Sequence, residues 1–298
     1  MSQDPARRGM DRLILEVLWG PLAQRKAVLA PGQVVRVGRS EPSGFVVPHD
    51  ETLASEHFEL SWDGTTCLLK DLDSRRGTQL GGTYVQSKAV SHGGWIRAGN
   101  TDFSVHLEAF TPPRPPEVPE PESLHLDRQR ALAHLQQEPG PLWALLDAAK
   151  DERIRVLLRE SVEEYRSLYE GPQGEVLEQV APYLVALPKG SGLLERLVLE
   201  GWGKSWGVFL SAEVRLDELR RHFRHFLRVQ DPKGRELYFR FYDPRVLEPF
   251  LATCTIEDTH RFFGPIHDFY LEGASPKEMV HLPPPSGNSA GHREVPLL

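Results

Sequence analysis

The chain has 298 residues, of which 40% are hydrophobic and 26% charged, and its formal net charge is -7. This length suffices for two average domains, and the composition is typical of a soluble globular protein. The acidic net charge argues against non-specific nucleic-acid binding, which needs a basic surface. The sequence contains no run of about 18 apolar residues, so we predict neither a transmembrane helix nor membrane insertion.

The N-terminal residues and the two cysteines bear on the cellular compartment of the protein. The apolar residues near the N-terminus alternate with charges, which is a strand pattern rather than the unbroken core of a signal peptide. Cys67 and Cys254 fall in different predicted domains, so we expect free thiols rather than a disulfide. Together these features predict a cytoplasmic protein.

Two proline-rich segments divide the chain. Residues 111–123 hold six prolines, and proline lacks a backbone donor, so we predict an extended spacer. The segment 282–298 is also rich in proline, glycine and serine, and we predict a disordered tail there. The predicted domains are therefore residues 1–110 and 124–281.

The first domain consists of short apolar runs separated by Gly, Pro, Asp and Asn. Such runs at regular spacing predict an all-β sandwich or barrel. They cover residues 13–18, 33–38, 44–48, 57–62, 66–72, 95–99 and 103–110.

Three motifs follow one another within this stretch. Gly38-Arg39-Ser40 comes after a strand, His57 follows in the run Leu53 to Phe58, and the run Asp71 to Thr78 contains Gly77. In this order they resemble a forkhead-associated (FHA) domain, which implies a β-sandwich that binds phosphothreonine. A phosphate calls for a forked arginine and for hydroxyl or backbone donors. Arg39 fits the first role and Ser40 the second, whereas the resemblance implies that His57 braces the loops.

Two ligand-reading positions of the family are changed in this chain. Ala54 stands where the family has a serine, and Ser55, one residue later, is expected to point elsewhere unless the loop shifts. Arg76 stands where the family has an asparagine. Arg75 and Arg76 are candidate replacements for the missing contacts, and docking of a partner without phosphate remains the alternative.

The second domain mixes helical and strand periods, which predicts a mixed α/β layered fold with a helical C-terminal part. The predicted helices lie near 127–137, 151–167, 193–200, 213–228 and 245–252. The predicted strands lie near 142–147, 182–187, 206–211 and 236–241.

A series of sequence motifs in this domain resembles those of the type VI secretion adaptor chaperones. They begin with the run Leu142 to Ala149 and include Ala181-Pro182-Tyr183, and the most specific is Leu237 to Leu247. The resemblance implies a domain that binds a toxic effector and delivers it to the spike protein of the secretion machine. It implies no catalysis and no cofactor.

The same motifs place charged residues at element ends. Asp147 ends an apolar strand, where it either contacts a ligand at the sheet edge or serves as a cap or ion-pair acid. Asp243 precedes Pro244, a favoured first helical residue, so we predict that Asp243 caps a helix. Arg240 and Arg245 are expected to flank the Asp243 carboxylate in a structural ion-pair cluster.

A basic helix is predicted at 213–228. Its apolar residues form one stripe, and arginines occupy the other faces. Arg220, Arg221 and Arg224 are candidate contacts for an acidic effector segment, and a solvated face is the alternative. His222 and His225 have no third Cys or His nearby in sequence, so we predict no metal site.

These observations favour a non-enzymatic adaptor with protein partners, namely an effector, a spike protein and a phosphoprotein. The sequence lacks the G-x-S-x-G, P-loop and H-E-x-x-H motifs of common enzymes. The alternative is a signalling adaptor that regulates secretion through phosphothreonine. We expect no cofactor, no metal and no nucleic-acid partner.

Overall fold

A computed structural model describes residues 12–116, 119–230, 233–285 and 293–297. The chain divides into two compact units, and the boundary lies between Pro112 and Pro113. None of the described helices is both long and apolar enough to cross a membrane.

The first unit is a sandwich of two sheets. One sheet has the strand order β2-β1-β11-β10-β7-β8 and the other β4-β3-β5-β6-β9. Neighbouring strands are antiparallel except for β3 and β4. The strands are β1 (Leu13–Val17), β2 (Lys26–Leu29), β3 (Gln33–Gly38), β4 (Phe45–Val46), β5 (Phe58–Trp62), β6 (Cys67–Asp71), β7 (Thr78–Leu80), β8 (Thr83–Val85), β9 (Ser87–Val90), β10 (Gly94–Ala98) and β11 (Thr101–Leu107).

The core of this unit follows the two-residue period of its strands. In β5 and β6 every second residue is buried, as expected for strands with one face toward the core. Phe58 and Phe103 lie at the centre, with ring centroids 5.4 Å apart in an edge-to-face arrangement. The sandwich confirms the predicted all-β first domain.

The first unit also contains residues 159–164. The Glu160 carboxylate accepts a hydrogen bond from the backbone N–H of Thr111, 2.8 Å away, and the Lys26 ammonium donates to the carbonyl of Ser161 at 2.6 Å. The predicted boundaries assign residues 159–164 to the second domain. The sequence did not show that residues 159–164 belong to the first unit, because the contacts that hold them there join residues more than 45 positions apart.

The second unit is built on one seven-stranded sheet of order β13-β14-β12-β15-β18-β19-β20, in which every paired strand is antiparallel. A separate hairpin pairs β16 with β17. The strands are β12 (Leu142–Asp147), β13 (Tyr165–Ser167), β14 (Pro182–Leu187), β15 (Gly207–Ala212), β16 (Arg228–Gln230), β17 (Glu236–Tyr238), β18 (Ile266–Glu272), β19 (Glu278–Leu282) and β20 (Arg293–Pro296). The helices are α1 (Glu122–Gln136), α2 (Glu152–Arg159), α3 (Gly171–Val176), α4 (Gly192–Gly201), α5 (Leu216–Arg224), α6 (Pro244–Thr253) and α7 (Ile256–Phe263).

Helices cover both faces of this sheet. On β12, Ala144 packs with α1, α2 and α4, whereas Leu145 packs with α5, α6 and α7. Because both faces are buried, β12 is a continuous apolar run rather than an alternating one. The predicted mixed α/β class is confirmed, and strands β18 to β20 follow the last helix.

Four predicted elements differ from the structure. The helix predicted at 213–228 spans only Leu216–Arg224, and strand β16 begins at Arg228. The helix predicted at 151–167 ends at Arg159, because the following residues join the first unit and residues 165–167 form edge strand β13. The strand predicted at 236–241 ends at Tyr238, since the chain then turns into α6. The predicted disordered tail is wrong for residues 293–296, which form β20. Residues 286–292 of that tail lie outside the described part of the chain.

Candidate functional site

The loops after β3 and before β5 meet through backbone contacts at the predicted phosphate site. A Cβ atom at Gly38 would lie 2.0 Å from the carbonyl oxygen of Ser55, so only glycine permits this approach. The Arg39 N–H donates to the carbonyl of Ala54 at 2.9 Å. The two loops therefore form one surface that carries Arg39, Ser40 and Ser55.

Ser55 lies within this surface. Its hydroxyl oxygen is 2.5 Å from that of Ser40, and its carbonyl accepts a hydrogen bond from the Ser43 hydroxyl at 2.8 Å. Of the two outcomes expected for Ser55, the structure shows the one in which the loop brings its side chain to this surface. The close approach at Gly38 brings Ser55 to the turn that follows β3, and this contact has no signal in the local sequence.

His57 braces the site from beneath. The side chain is fully buried, and its Nδ1 accepts a hydrogen bond from the Ala54 N–H at 3.1 Å. Nε2 lies 3.2 Å from the Gly77 carbonyl oxygen, to which it donates, because a carbonyl can only accept. His57 therefore joins the loop before β5 to the turn before β7, which is the bracing role that the resemblance implies.

The turn that carries Arg75 and Arg76 is organised by Asp71. The buried Asp71 carboxylate accepts hydrogen bonds from the Ser74 N–H at 2.8 Å and from the Thr78 hydroxyl at 2.5 Å. Asp71 begins the motif Asp71 to Thr78. Its role in holding the turn was not predictable from the sequence, because it depends on the shape of the turn.

Three arginines of the first unit are available to a ligand. Arg39, Arg75 and Arg76 are exposed. Within the described part of the chain, no hydrogen bond or ion pair uses their guanidinium groups. A guanidinium that is not engaged within the fold is a donor of the kind that binds a phosphate monoester.

In the second unit, Asp147 is an ion-pair acid. It is 1% exposed, and its carboxylate accepts a hydrogen bond from Arg240. The sheet around it is antiparallel, so the tendency of parallel sheets to bind ligands at their carboxyl edge does not apply. Of the two roles considered from the sequence, the structure supports the ion-pair role.

Asp243 caps α6 as predicted. Its carboxylate accepts a hydrogen bond from the Arg245 N–H at 3.1 Å, and Pro244 is the first helical residue. Lys150 and the Arg245 guanidinium each bind the carboxylate at 2.8 Å. Arg240, which was expected beside Asp243, pairs with Asp147 and interacts with Asp243 through its charge. Lys150, which the sequence did not single out, binds the Asp243 carboxylate directly.

The environment of Asp243 favours its charged form. Burial by itself would raise its pKa, but hydrogen bonds from Arg245 and Lys150 outweigh burial and hold the pKa of Asp243 well below its ordinary value. The Asp243 carboxylate therefore stays ionised at neutral pH, and its bonds to Lys150 and Arg245 tie the loop after β12 to the start of α6. Pro182 supports the same region, because it lies opposite Asp147 in the β12–β14 pair.

Two of the three arginines predicted to bind a partner are engaged within the fold. Arg220 donates to the Ser167 carbonyl at 2.7 Å and Arg224 to the Leu168 carbonyl at 3.0 Å, and both pair with Glu170. These bonds brace the chain after β13. Arg221 is exposed, and no described residue pairs with its side chain.

An exposed apolar surface lies beside these arginines. Tyr238 of the hairpin is 59% exposed, and its ring lies 6.1 Å from that of Tyr169, centroid to centroid. Both tyrosines and Leu177 line a groove of about 370 Å³. The sequence did not reveal this surface, because the strand pattern at residues 236–241 does not show which side chains the fold leaves exposed.

Known proteins match the two units separately. Residues 35–99 match the model of the FHA domain, and residues 142–261 match that of DUF4123, a domain of unknown function. The FHA domain-containing protein FhaA of Mycobacterium tuberculosis is 34% identical over 71 residues, which are 24% of this chain and 13% of FhaA. The chain thus spans about an eighth of the length of that relative.

Two solved FHA-domain structures are also similar to part of this chain. The FhaA FHA domain, in a crystal structure with the intracellular domain of Rv3910, is 31% identical, with a TM-score of 0.29 over 32% of this chain and 99% of that one. A structure from work on phosphothreonine-dependent FHA domain interactions is 29% identical, with a TM-score of 0.31 over 33% of this chain and 99% of that one.

The two matches lie in separate parts of the chain and do not overlap. The order of the two matches along the chain is the order that the motifs predicted. The chain therefore combines an N-terminal FHA domain with a DUF4123 domain, the family of the type VI secretion adaptors that the sequence resembles.

Proposed function

We propose that this protein is a non-enzymatic cytoplasmic adaptor that binds a type VI secretion effector and helps to load it onto the spike protein. In this proposal the DUF4123 domain holds the effector. The FHA domain is a second docking module that binds a phosphothreonine segment of a protein partner. Neither nucleic acid nor membrane insertion has a part in it.

The observation that carries the proposal is the joining of an FHA domain and a DUF4123 domain in one chain. On the first, Arg39, Arg75 and Arg76 leave their guanidiniums available, and Ser40 and Ser55 stand side by side. On the second, Tyr238 and Leu177 expose apolar surface beside a groove, and such surfaces mark protein interaction sites. If both surfaces bind segments of one partner or of one complex, binding of the first segment raises the effective concentration of the second at its surface.

A phosphopeptide titration tests the FHA role. The full chain is titrated with a fluorescent phosphothreonine peptide library and with the same peptides unphosphorylated. We expect binding of the phosphorylated forms only, and a loss of about tenfold or more in Arg39→Ala, since a charge-assisted hydrogen bond contributes about 1.5–3 kcal/mol. Arg36→Ala is the matched control, because Arg36 is an exposed arginine of β3 whose guanidinium is paired with Glu56 and Glu59.

Capture from the native host tests the adaptor role. The tagged full chain, at its natural level, should recover a toxin-like effector or a spike component. Recovery of neither by a folded chain would contradict the adaptor proposal.

A signalling adaptor that regulates secretion through phosphothreonine is the second candidate, and the available Arg39 favours it. In that case the recovered partner is a kinase or a phosphoprotein, and phosphatase treatment abolishes its recovery. An effector whose recovery is unchanged by phosphatase would count against this candidate.

A further inference from the structure

The last described strand of the chain is an edge strand that pairs with a single neighbour. Among the described residues, β20 pairs only with β19, over the four positions from Glu278↔Pro296 to His281↔Arg293. Without β20, the edge of β19 would present unpaired backbone groups, and such an edge accepts strands from other chains.

One side chain anchors this strand. Leu297 is 7% exposed and packs in the core cluster beneath α1, α2 and α4. Its N–H donates to the carbonyl of Lys277 at 3.0 Å, and its carbonyl accepts a hydrogen bond from the Arg130 guanidinium at 3.2 Å. The edge of β19 therefore provides backbone partners and a pocket that fits one leucine.

The anchoring site opens into a groove that the strand does not fill. A space of about 440 Å³ is bordered by Leu297 and by Ser123, Leu126 and Arg130 of α1. Leu126 is 46% exposed there. A longer extended segment could gain contacts in this groove that residues 293–297 do not make.

A short connection joins β20 to β19, the strand with which it pairs. Residues 283–292 lie between β19 and β20, and seven of these ten residues are proline, glycine or serine. Because β20 belongs to the same chain as β19, its effective concentration at the β19 edge is about millimolar. A partner strand must therefore compete with the chain's own strand.

We propose that the β19 edge is a strand-accepting site, which residues 293–297 occupy in the free protein and from which an extended segment of the effector displaces them. The incoming segment would pair its backbone with β19 and place a leucine-sized apolar side chain in the Leu297 pocket. This mode is β-strand addition, in which backbone bonds give affinity and the pocket gives specificity. That the partner is an effector rests on the proposed function.

A peptide probe tests the site without any effector. The probe is a fluorescent peptide with the sequence of residues 290–298, added to the full chain and read by anisotropy. Leu297→Asp removes the anchor of the internal strand, so this variant should bind the probe at least tenfold more tightly than the natural chain. A second probe with aspartate at the Leu297 position should bind neither chain.

Val176→Asp is the matched control, because Val176 is 81% exposed and the change in chemistry is the same. This variant should bind the probe as weakly as the natural chain. Equal binding of the probe by the natural and Leu297→Asp chains, or no binding by a Leu297→Asp chain with a native circular dichroism spectrum, would overturn the proposal.

A disulfide that fixes the strand provides a second test, which also covers the case that Leu297→Asp does not fold. Val280 and Glu294 face each other in the β19–β20 register, so Val280→Cys with Glu294→Cys, in a Cys254→Ser background, can link the strands. The oxidised chain should recover at least tenfold less effector from the host than the reduced chain. Equal recovery would overturn strand exchange, whereas recovery of no effector in either state, with the peptide result intact, would overturn the proposed function instead.

Discussion

The hydroxyl oxygens of Ser40 and Ser55 lie 2.5 Å apart on the exposed surface formed by the loops after β3 and before β5. Ser55 is one position beyond Ala54, which stands where FHA domains have a phosphate-binding serine. The close approach of the loops at Gly38 allows Ser55 to reach this surface. A second hydroxyl thus lies beside Ser40 although the serine of the family motif is missing.

Removal of this hydroxyl should weaken phosphopeptide binding. We expect Ser55→Ala to lose about tenfold in affinity, since a hydrogen bond to a charged group contributes about 1.5 kcal/mol. The affinity is measured by fluorescence titration of the full chain with a phosphothreonine peptide that the natural chain binds. Ser87→Ala, an exposed serine of β9, should leave the affinity unchanged. An unchanged affinity in Ser55→Ala would remove Ser55 from the site.

Asp243→Asn should destabilise the second unit. The Asp243 carboxylate is 3% exposed and binds Lys150 and Arg245. Its loss leaves the Lys150 ammonium, which is 16% exposed, without a negative partner at this position. Asparagine can still cap the helix. We expect a decrease of about 2 kcal/mol in the free energy of unfolding at pH 7, measured by urea denaturation. Asp217→Asn, an exposed first-turn residue of α5, should cost less than about 0.5 kcal/mol.

The same variant has a predictable pH dependence. The pKa of Asp243 is lowered in the folded protein, so its stabilisation is present above the ordinary carboxyl pKa of 3.8 and is lost as the pH falls toward the folded value. The difference in unfolding free energy between the natural chain and Asp243→Asn should therefore shrink below about pH 4. A difference that stays constant between pH 7 and pH 3 would show that the carboxylate charge is not the cause.

Glu272→Gln should stabilise the protein at alkaline pH. Burial is the main cause that raises the pKa of Glu272 from 4.5 to about 7, although the Ser205 N–H donates to its carboxylate at 2.9 Å. The folded state therefore binds more protons than the unfolded state between these values, and stability falls as the pH rises from 4.5 to 7. We expect the free energy of unfolding of Glu272→Gln to exceed that of the natural chain by about 2 kcal/mol at pH 8. At pH 4.5 the two free energies of unfolding should be nearly equal.

Urea denaturation at the two pH values measures this effect. Glu213→Gln changes an exposed glutamate in a loop and should show no pH-dependent difference. A gain in Glu272→Gln that is the same at pH 4.5 and pH 8 would contradict titration of Glu272 as its cause.

Arg220 and Arg221 are adjacent but should behave differently. Arg220→Ala removes hydrogen bonds to the Ser167 carbonyl and Glu170, so we expect a loss of about 1–2 kcal/mol in unfolding free energy. Arg221→Ala should change stability by less than about 0.5 kcal/mol, because its side chain is exposed and has no partner among the described residues. Equal losses in thermal melts of the two variants would contradict the bracing role of Arg220.

The sequence alone determined the class and order of the two domains. Strand period and turn residues sufficed for β3, β12 and β14, whose observed bounds are the predicted ones. The helix cap at Asp243 was also predictable, since its donor is only two residues away in the chain. These features depend on local backbone preference and on patterns of burial, which a sequence displays directly.

Tertiary structure decided the contacts between residues far apart in the chain. The pairing of Arg240 with Asp147 spans 93 positions, and so does the place of Lys150 beside Asp243. The short strand β20 has a sequence typical of a disordered tail and is ordered by backbone bonds to β19 and the burial of Leu297. Such contacts depend on which surfaces the folded chain brings together, and no local pattern records that.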